Sequence, residues 1–189
     1  MRLNELLKPG EGPVYQLGNK IAQDPDGKIV ISGNDPGARS QYFATPAGQI
    51  YVINFDPAKN PPSMSLSFGN LETSGNYASV NYSDLRKLPV KQAAQVLNTV
   101  VSATTAYSEA KGGVPLWIFN TNSQKKARVY KMISARIAKQ IQGGFRYFKD
   151  SWGDYLFAVY VGHRGQTDLK KWIDFVTEYG DVEENPSDI

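Results

Sequence analysis

The stretch PVKQAAQVLNTVVSATTAYSEAKGGVPLWIF, residues 89–119, decides how the chain folds. Ala93, Leu97, Val100, Val101, Thr104 and Tyr107 recur every three or four residues, the spacing that gathers side chains on one face of a helix. Pro89 suits the opening position, and Gly112-Gly113 end the pattern, because glycine takes the left-handed turn that closes helices at little cost. Pro115 to Phe119 is then an unbroken apolar run too short for a helix, and it predicts a strand buried on both faces. Downstream, Ser123 is placed to cap a second long helix with Ala127, Tyr130, Ile133, Ile137 and Ile141 on its apolar stripe and Gly143-Gly144 at its close. Phe145–Phe148 and Tyr155–Val161 read as two strands joined around Asp150-Ser151-Trp152-Gly153-Asp154. Thr167-Asp168 are expected to cap a last helix, 167–179, with Leu169, Trp172, Ile173, Val176 and Tyr179 on one side.

Upstream the pattern changes. Residues 9–48 hold seven glycines and five prolines, which fragment any long element. One helical turn fits Leu3–Lys8 before Pro9-Gly10. Short β-rich runs follow at 28–32, 41–44 and 49–55, with Asp26-Gly27 and Ala47-Gly48 placed as hairpin turns. Ser63–Phe68 alternates strictly, so one face of that strand should be buried and the other wet. Residues 69–89, rich in Asn, Ser, Gly and Tyr, read as a polar connection long enough to serve as an interaction loop. The expected architecture is a single α+β domain over 1–179. It has a β-meander at 28–68, helix–strand–helix–hairpin at 90–161 and a C-terminal helix. Its sheet should be mainly antiparallel, with two long helices packed around a central strand.

Composition narrows the function. A chain of 189 residues buries enough surface to fold without a staple, and 12% aromatic residues argue against disorder. No apolar run approaches the ~18–20 residues of a membrane span. Met1 to Pro9 lacks the apolar core of a signal peptide, so the host cytoplasm or a virion is the expected location. Without cysteine there is no disulfide, thiolate zinc site or cysteine nucleophile, and a single histidine, His163, argues against a His-rich metal site or a Ser-His-Asp triad. Residues 180–189 hold Asp181, Glu183, Glu184 and Asp188 and no cation. Of 18 acidic residues, 14 therefore remain in residues 1–179 against 21 basic ones, a balance of +7. A basic body followed by an acidic tail points to an anionic partner, or to a tail lying on the protein's own basic surface.

The strongest local signal is the second helix, where Lys125, Lys126, Arg128, Lys131, Arg136 and Lys139 occur without an acid between Ser123 and Phe145. Such a stripe serves a nucleic acid, a nucleotide or an acidic protein partner, or is simply a solvated face with Arg136 and Lys139 at the favourable end of the helix dipole. Of the aromatic residues nearby, Trp152 and Tyr155 are the pair expected to be exposed, next to or within a turn. His163-Arg164-Gly165 follows a strand end and reads as a turn. Asp24-Pro25-Asp26-Gly27 lacks the further carboxylates of a calcium loop and also reads as a turn. There is no Gly-rich nucleotide-binding motif, no Gly-x-Ser-x-Gly and no His-Glu-x-x-His.

From Leu116 to Phe145 the chain resembles the second half of a GNAT-type N-acyltransferase: a strand, Asn120-Thr121-Asn122, a helix bearing Ala127 and Tyr130, and Gly144-Phe145. The resemblance implies acetyl-CoA as cofactor, Tyr130 as general acid on the leaving thiolate and Asn122 as positioner of the pantetheine arm. It also implies a glycine-rich turn whose amides hold the pyrophosphate at a helix N-terminus. Here Tyr82–Val90 contains no glycine, and Pro89 removes one amide. Gly144-Phe145 starts fourteen residues after Tyr130. The opening Met1–Leu7, the Thr/Val-rich helix and the Lys-Lys-Ala-Arg-Val-Tyr helix are similar in character to small proteins of tailed bacteriophages. The expected function is a non-enzymatic structural or interaction protein, phage-encoded and part of a multi-subunit particle. The alternatives are an acetyl-CoA-dependent N-acyltransferase and a nucleic-acid-binding protein that uses helix 123–142.

Overall fold

The computed structural model describes residues 13–74, 77–81 and 88–189, without the side chains of 73, 74 and 77–81. The helical turn expected at Leu3–Lys8 and most of the stretch 82–90 lie outside the described residues. The chain is α+β, with a mostly antiparallel sheet and three helices among the described residues. It forms two compact units, one from Met1–Phe55 and Ser67–Lys111, the other from Asp56–Leu66 and Gly112–Ile189.

In the first unit, β1 (Lys20–Gln23) and β2 (Ile29–Ser32) make a two-stranded hairpin. Its turn is the Asp24–Lys28 segment: the Asp24 carboxylate accepts from the Asp26 and Lys28 amides, and Gly27 takes a φ of 80°. The calcium-like run is thus a carboxylate-capped turn. β3 (Ser40–Ala44) pairs antiparallel with the start of β4 (Ile50–Lys59). β5 (Pro62–Ser74) and β6 (Tyr77–Asn81) then pair antiparallel from Asn70↔Asn81 to Ser74↔Tyr77. The segment read as a polar connection, 69–89, therefore contains strand. Asn, Ser and Gly lowered its β character in the sequence, but ladder bonds use backbone groups that every residue except proline carries.

α1 (Val90–Ala110) covers this unit's core as its spacing predicts. Val96, Val100 and Ala103 are fully buried, and the Tyr107 ring stacks on Phe55 at 4.1 Å. Its buried threonines are satisfied locally. Thr99 and Thr104 donate to the carbonyls of Gln95 and Val100, each at 2.8 Å. Thr99 Oγ1 also accepts from the Tyr15 amide at 2.9 Å.

In the second unit the strand order is β5-β7-β9-β8-β10. β7 (Leu116–Thr121) is parallel to β5 at Met64↔Trp117 and Ser65↔Ile118 and antiparallel to β9 (Tyr155–Tyr160) on its other side. β8 (Gly144–Asp150) and β10 (Val182–Glu184) extend the sheet, both antiparallel. Alternation assigns the two faces. Phe119 and Phe157 meet Tyr130 of α2 (Gln124–Gln140) on one side. Leu116, Phe148, Leu156 and Ala158 meet Leu169 and Trp172 of α3 (Gly162–Thr177) on the other.

α3 begins at Gly162, five residues before the Thr167-Asp168 cap expected from the sequence. Val161 donates its amide to the Pro115 carbonyl at 2.9 Å, and Gly165 donates to Val161 at 3.0 Å, which docks the first turn against β7's approach. A Cβ on Gly165 would lie 2.3 Å from the Pro115 oxygen, so this glycine marks a close approach and not a turn. His163-Arg164-Gly165 is accordingly helical. Thr167 bonds back to the His163 carbonyl, and Asp168 faces Arg164 one turn away at 3.8 Å. Gly165→Ala is expected to lower stability by about 1–3 kcal/mol through overpacking, although alanine is the better helix former by ~1 kcal/mol. A lower urea midpoint at unchanged slope would show it; an unchanged or higher midpoint would contradict the contact.

Candidate functional site

The basic stripe of α2 divides into two sets. Lys125, Arg128 and Lys139 share one exposed side of the helix, and Lys126, Lys131 and Arg136 are half-buried. Burial lowers the pKa of the Arg136 guanidinium from its ordinary value. Ser123 occupies the cap position expected of it, although its side chain makes no capping bond. Lys131 turns toward the sheet: its ammonium donates to Tyr147 Oη at 2.8 Å and to the Ile189 carbonyl at 3.2 Å, lying 4.1 Å from the Tyr147 ring centroid.

The acidic tail answers the question that charge left open, because it lies on the protein's own cations. β10 pairs with the β8 edge from Val182↔Asp150 to Glu184↔Phe148. Arg146 and Phe148 point to the α3 face, and Glu184 there takes a two-pronged grip from Arg146, with Nε to Oε1 at 2.6 Å and a second bond from Nη2 to Oε2. Asn185, at φ 55°, then bends the chain while donating its amide to the Tyr147 carbonyl at 3.0 Å. Past buried Pro186 the tail reaches the α2 face. Asp188 Oδ2 accepts from Lys149 Nζ at 2.7 Å and Tyr155 Oη at 2.6 Å, and Gln124 donates to the Asp188 carbonyl at 2.7 Å. One carboxylate thus holds each face of β8.

These bonds shift the groups that make them. Hydrogen bonding from Arg146 lowers the pKa of Glu184, and bonds from Lys149, then Tyr155, lower that of Asp188. The same contacts raise the pKa values of Arg146, Lys149 and Tyr155. A depressed carboxyl pKa stabilises the docked tail above the unfolded value, and that contribution is lost as pH falls through the folded one. Raised cation pKa values work below their unfolded values. Docking should therefore hold from neutral pH to near the ordinary lysine value of 10.5, and loosen on acidification past 4.5 and 3.8, the ordinary values for the two carboxyls. Cross-strand NOEs between β10 and β8 should fade in acid while those between β8 and β9 persist; joint loss or joint survival would contradict this.

The other expected site residues are separated by the fold. Trp152 is 68% exposed at the tip of the β8–β9 turn, but Tyr155 is buried, which corrects the expectation of an exposed pair. Alternation turns Tyr155 inward, and Asp188, thirty-three residues later, supplies its acceptor. Tyr130 is buried at 8% exposure with its ring 6.3 Å from Phe119 and 6.1 Å from Phe157, contacts that account for it as core. Asn122 is exposed between β7 and α2, and His163 is exposed in α3's first turn. Tyr179, placed by its spacing on the apolar face of the last helix, is 60% exposed because the helix ends at Thr177. Its ring meets Phe175, itself 42% exposed, at 5.2 Å. Gly180 packs against Ser151 so closely that a Cβ would stand 2.2 Å from Oγ, which brings Tyr179 beside the turn that carries Trp152.

Sequence reasoning named the tail acids but missed the cations that receive them, Arg146 and Lys149. The available signal was the pair of cations set three apart among the aromatics of Phe145–Lys149, one on each face of a strand, read against the acids of the tail. On the α3 face, Arg146, Tyr160, Gln166 and Lys170 also rim an open cavity of about 350 Å³ floored by Leu169 and Ile173. Among the described residues, no three His, Asp or Glu side chains are grouped to hold a metal ion, and no helix is long and apolar enough to cross a membrane. No protein family, curated protein or solved structure matches the chain.

Proposed function

We propose that the chain is a non-enzymatic structural or interaction protein, phage-encoded and built into a virion, on a GNAT-like scaffold. The observation that carries this reading is a set of exposed aromatic side chains: the touching pair Phe175 and Tyr179, and Trp152 on the turn that Gly180 packs against. Trp152, Phe175 and Tyr179, on adjoining segments, are exposed by 68%, 42% and 60%. Exposed apolar clusters mark contact surfaces, and large aromatic side chains dominate the energy of such contacts. The shifted protonation equilibria support the same reading: Arg146–Glu184 and Lys149–Asp188–Tyr155 are tail-docking pairs. The succession α1, β7, α2, β8, β9 supports the scaffold. The phage origin rests on the character of Met1–Leu7 and of the two long helices.

Gentle fractionation from the source, with mass spectrometry of what co-migrates, tests the proposal. Migration in a large particle supports it, and migration as a free 20.9 kDa species overturns it. A second reading, nucleic-acid binding, is favoured by one observation: Lys125, Arg128 and Lys139 remain exposed on one side of α2 while the tail occupies Lys131 and Lys149. It requires a steep fall of affinity with salt, abolished by reversing those three charges.

A further inference from the structure

We infer that residues 182–189 exchange between two copies of the chain, each tail completing the other copy's sheet while the copies close over Trp152, Phe175 and Tyr179. The inference rests on the reading of the chain as an interaction protein and names its partner.

The β8 edge is built for a particular strand. It takes a three-residue ladder followed by two carboxylates four positions apart, the first on Arg146 and the second on Lys149 and Tyr155. Residues 182–189 meet that description, and every further copy of the chain carries them. In an exchanged pair each bond is kept with the same partner type, so exchange costs association entropy and little else, the general basis of domain swapping.

The attachment is also loose enough to trade. Side chains of both ion pairs remain about a third to two fifths exposed (38% and 41% for Arg146 and Glu184, 31% and 34% for Lys149 and Asp188), a setting in which such pairs hold weakly. A short edge strand of this kind opens locally well before the core does.

The surplus that favours two copies over one lies at the joint. The chain leaves α3 at Thr177 and enters β10 at Val182, and Tyr179 sits in the connection with Phe175 against it and Trp152 across the Gly180–Ser151 contact. Exchange about a twofold axis draws the two connections together, and these rings are then shielded between the copies. A self-complementary twofold contact of this type closes after two chains.

The test pairs Lys149→Glu with Asp188→Lys. Each variant alone opposes its own tail, in one copy or between two identical ones. In an equimolar mixture the unchanged tail of the first meets the unchanged Lys149 of the second, and the reversed tail meets the reversed cradle. The mixture should sediment at twice the 20.9 kDa of the chain while each variant alone stays at that mass. Trp152→Ser in both chains should raise the dissociation constant of the mixed pair about tenfold or more. The unaltered chain gives an independent reading, its mass doubling between micromolar and millimolar concentration. A mixture or an unaltered chain that remains at single-chain mass at millimolar concentration overturns the exchange, as does a pair indifferent to Trp152→Ser. Since purified chains are used, that failure is distinct from the failure of the particle reading, which co-migration from the source decides.

Discussion

Phe157→Ala is expected to destabilise the second unit by about 3–5 kcal/mol, the range for truncating a fully buried aromatic. Phe157 has no exposed surface and lies on β9, with β7 on one side and β8 on the other. Its ring stands 6.1 Å from Tyr130 and 6.3 Å from Tyr147, and so joins the core ring of α2 to the ring on which Lys131 rests. Alanine leaves a cavity that neither tyrosine can fill without giving up its own contacts. Phe157→Leu, which keeps most of the volume, should cost appreciably less. Equilibrium urea unfolding measures both, and a loss below about 1 kcal/mol for the alanine variant would show that the ring is not the hub its contacts imply.

Reversing both tail carboxylates, Glu184→Lys with Asp188→Lys, should have the opposite profile: a large local change and a small global one. Arg146 and Lys149 would then face like charge at each end of the strap, and three ladder residues are too few to hold it. Amide exchange at Glu183 and Asn185, whose N–H groups point at β8 in this register, is expected to approach the rate of an unfolded peptide, while the melting temperature barely moves, because partly exposed ion pairs contribute little to the whole fold. Persistent protection at those amides would mean that Pro186 and the backbone bonds hold the tail without its charges.

The helices were legible because their side chains repeat with the period of the element. Ala93 to Tyr107 on α1 and Ala127 to Ile137 on α2 announce a face whatever lies opposite it. β6 was not legible, since its partner is set by backbone pairing that Asn, Ser and Tyr do not advertise. The start of α3 was hidden for a related reason. Gly162 and Gly165 look like chain breakers, and only the nearness of Pro115 shows that Gly165 belongs in a helix. The site divides in the same way. Sequence alone exposed the charge on α2 and in the tail. Which lysines meet which acids depended on β8 standing beside β10 and on the two faces of one strand. Tyr155 shows this best: its place after a turn suggested exposure, and the acceptor for its hydroxyl arrives only with Asp188.

The back-bonded threonines of α1 carry a consequence for how the sequence can drift. Thr104 spends its hydroxyl on the Val100 carbonyl, which its own helix already engages, so to its neighbours it behaves as a valine would. Thr99 uses the same gesture but also receives the Tyr15 amide. Orphaning a buried amide costs about 1–3 kcal/mol, whereas losing a redundant hydroxyl costs next to nothing. Among descendants of this chain, position 104 should wander between threonine and valine, and position 99 should keep a hydroxyl. The two residues are chemically identical and five positions apart on one helix, yet purifying selection should hold only one of the two hydroxyls.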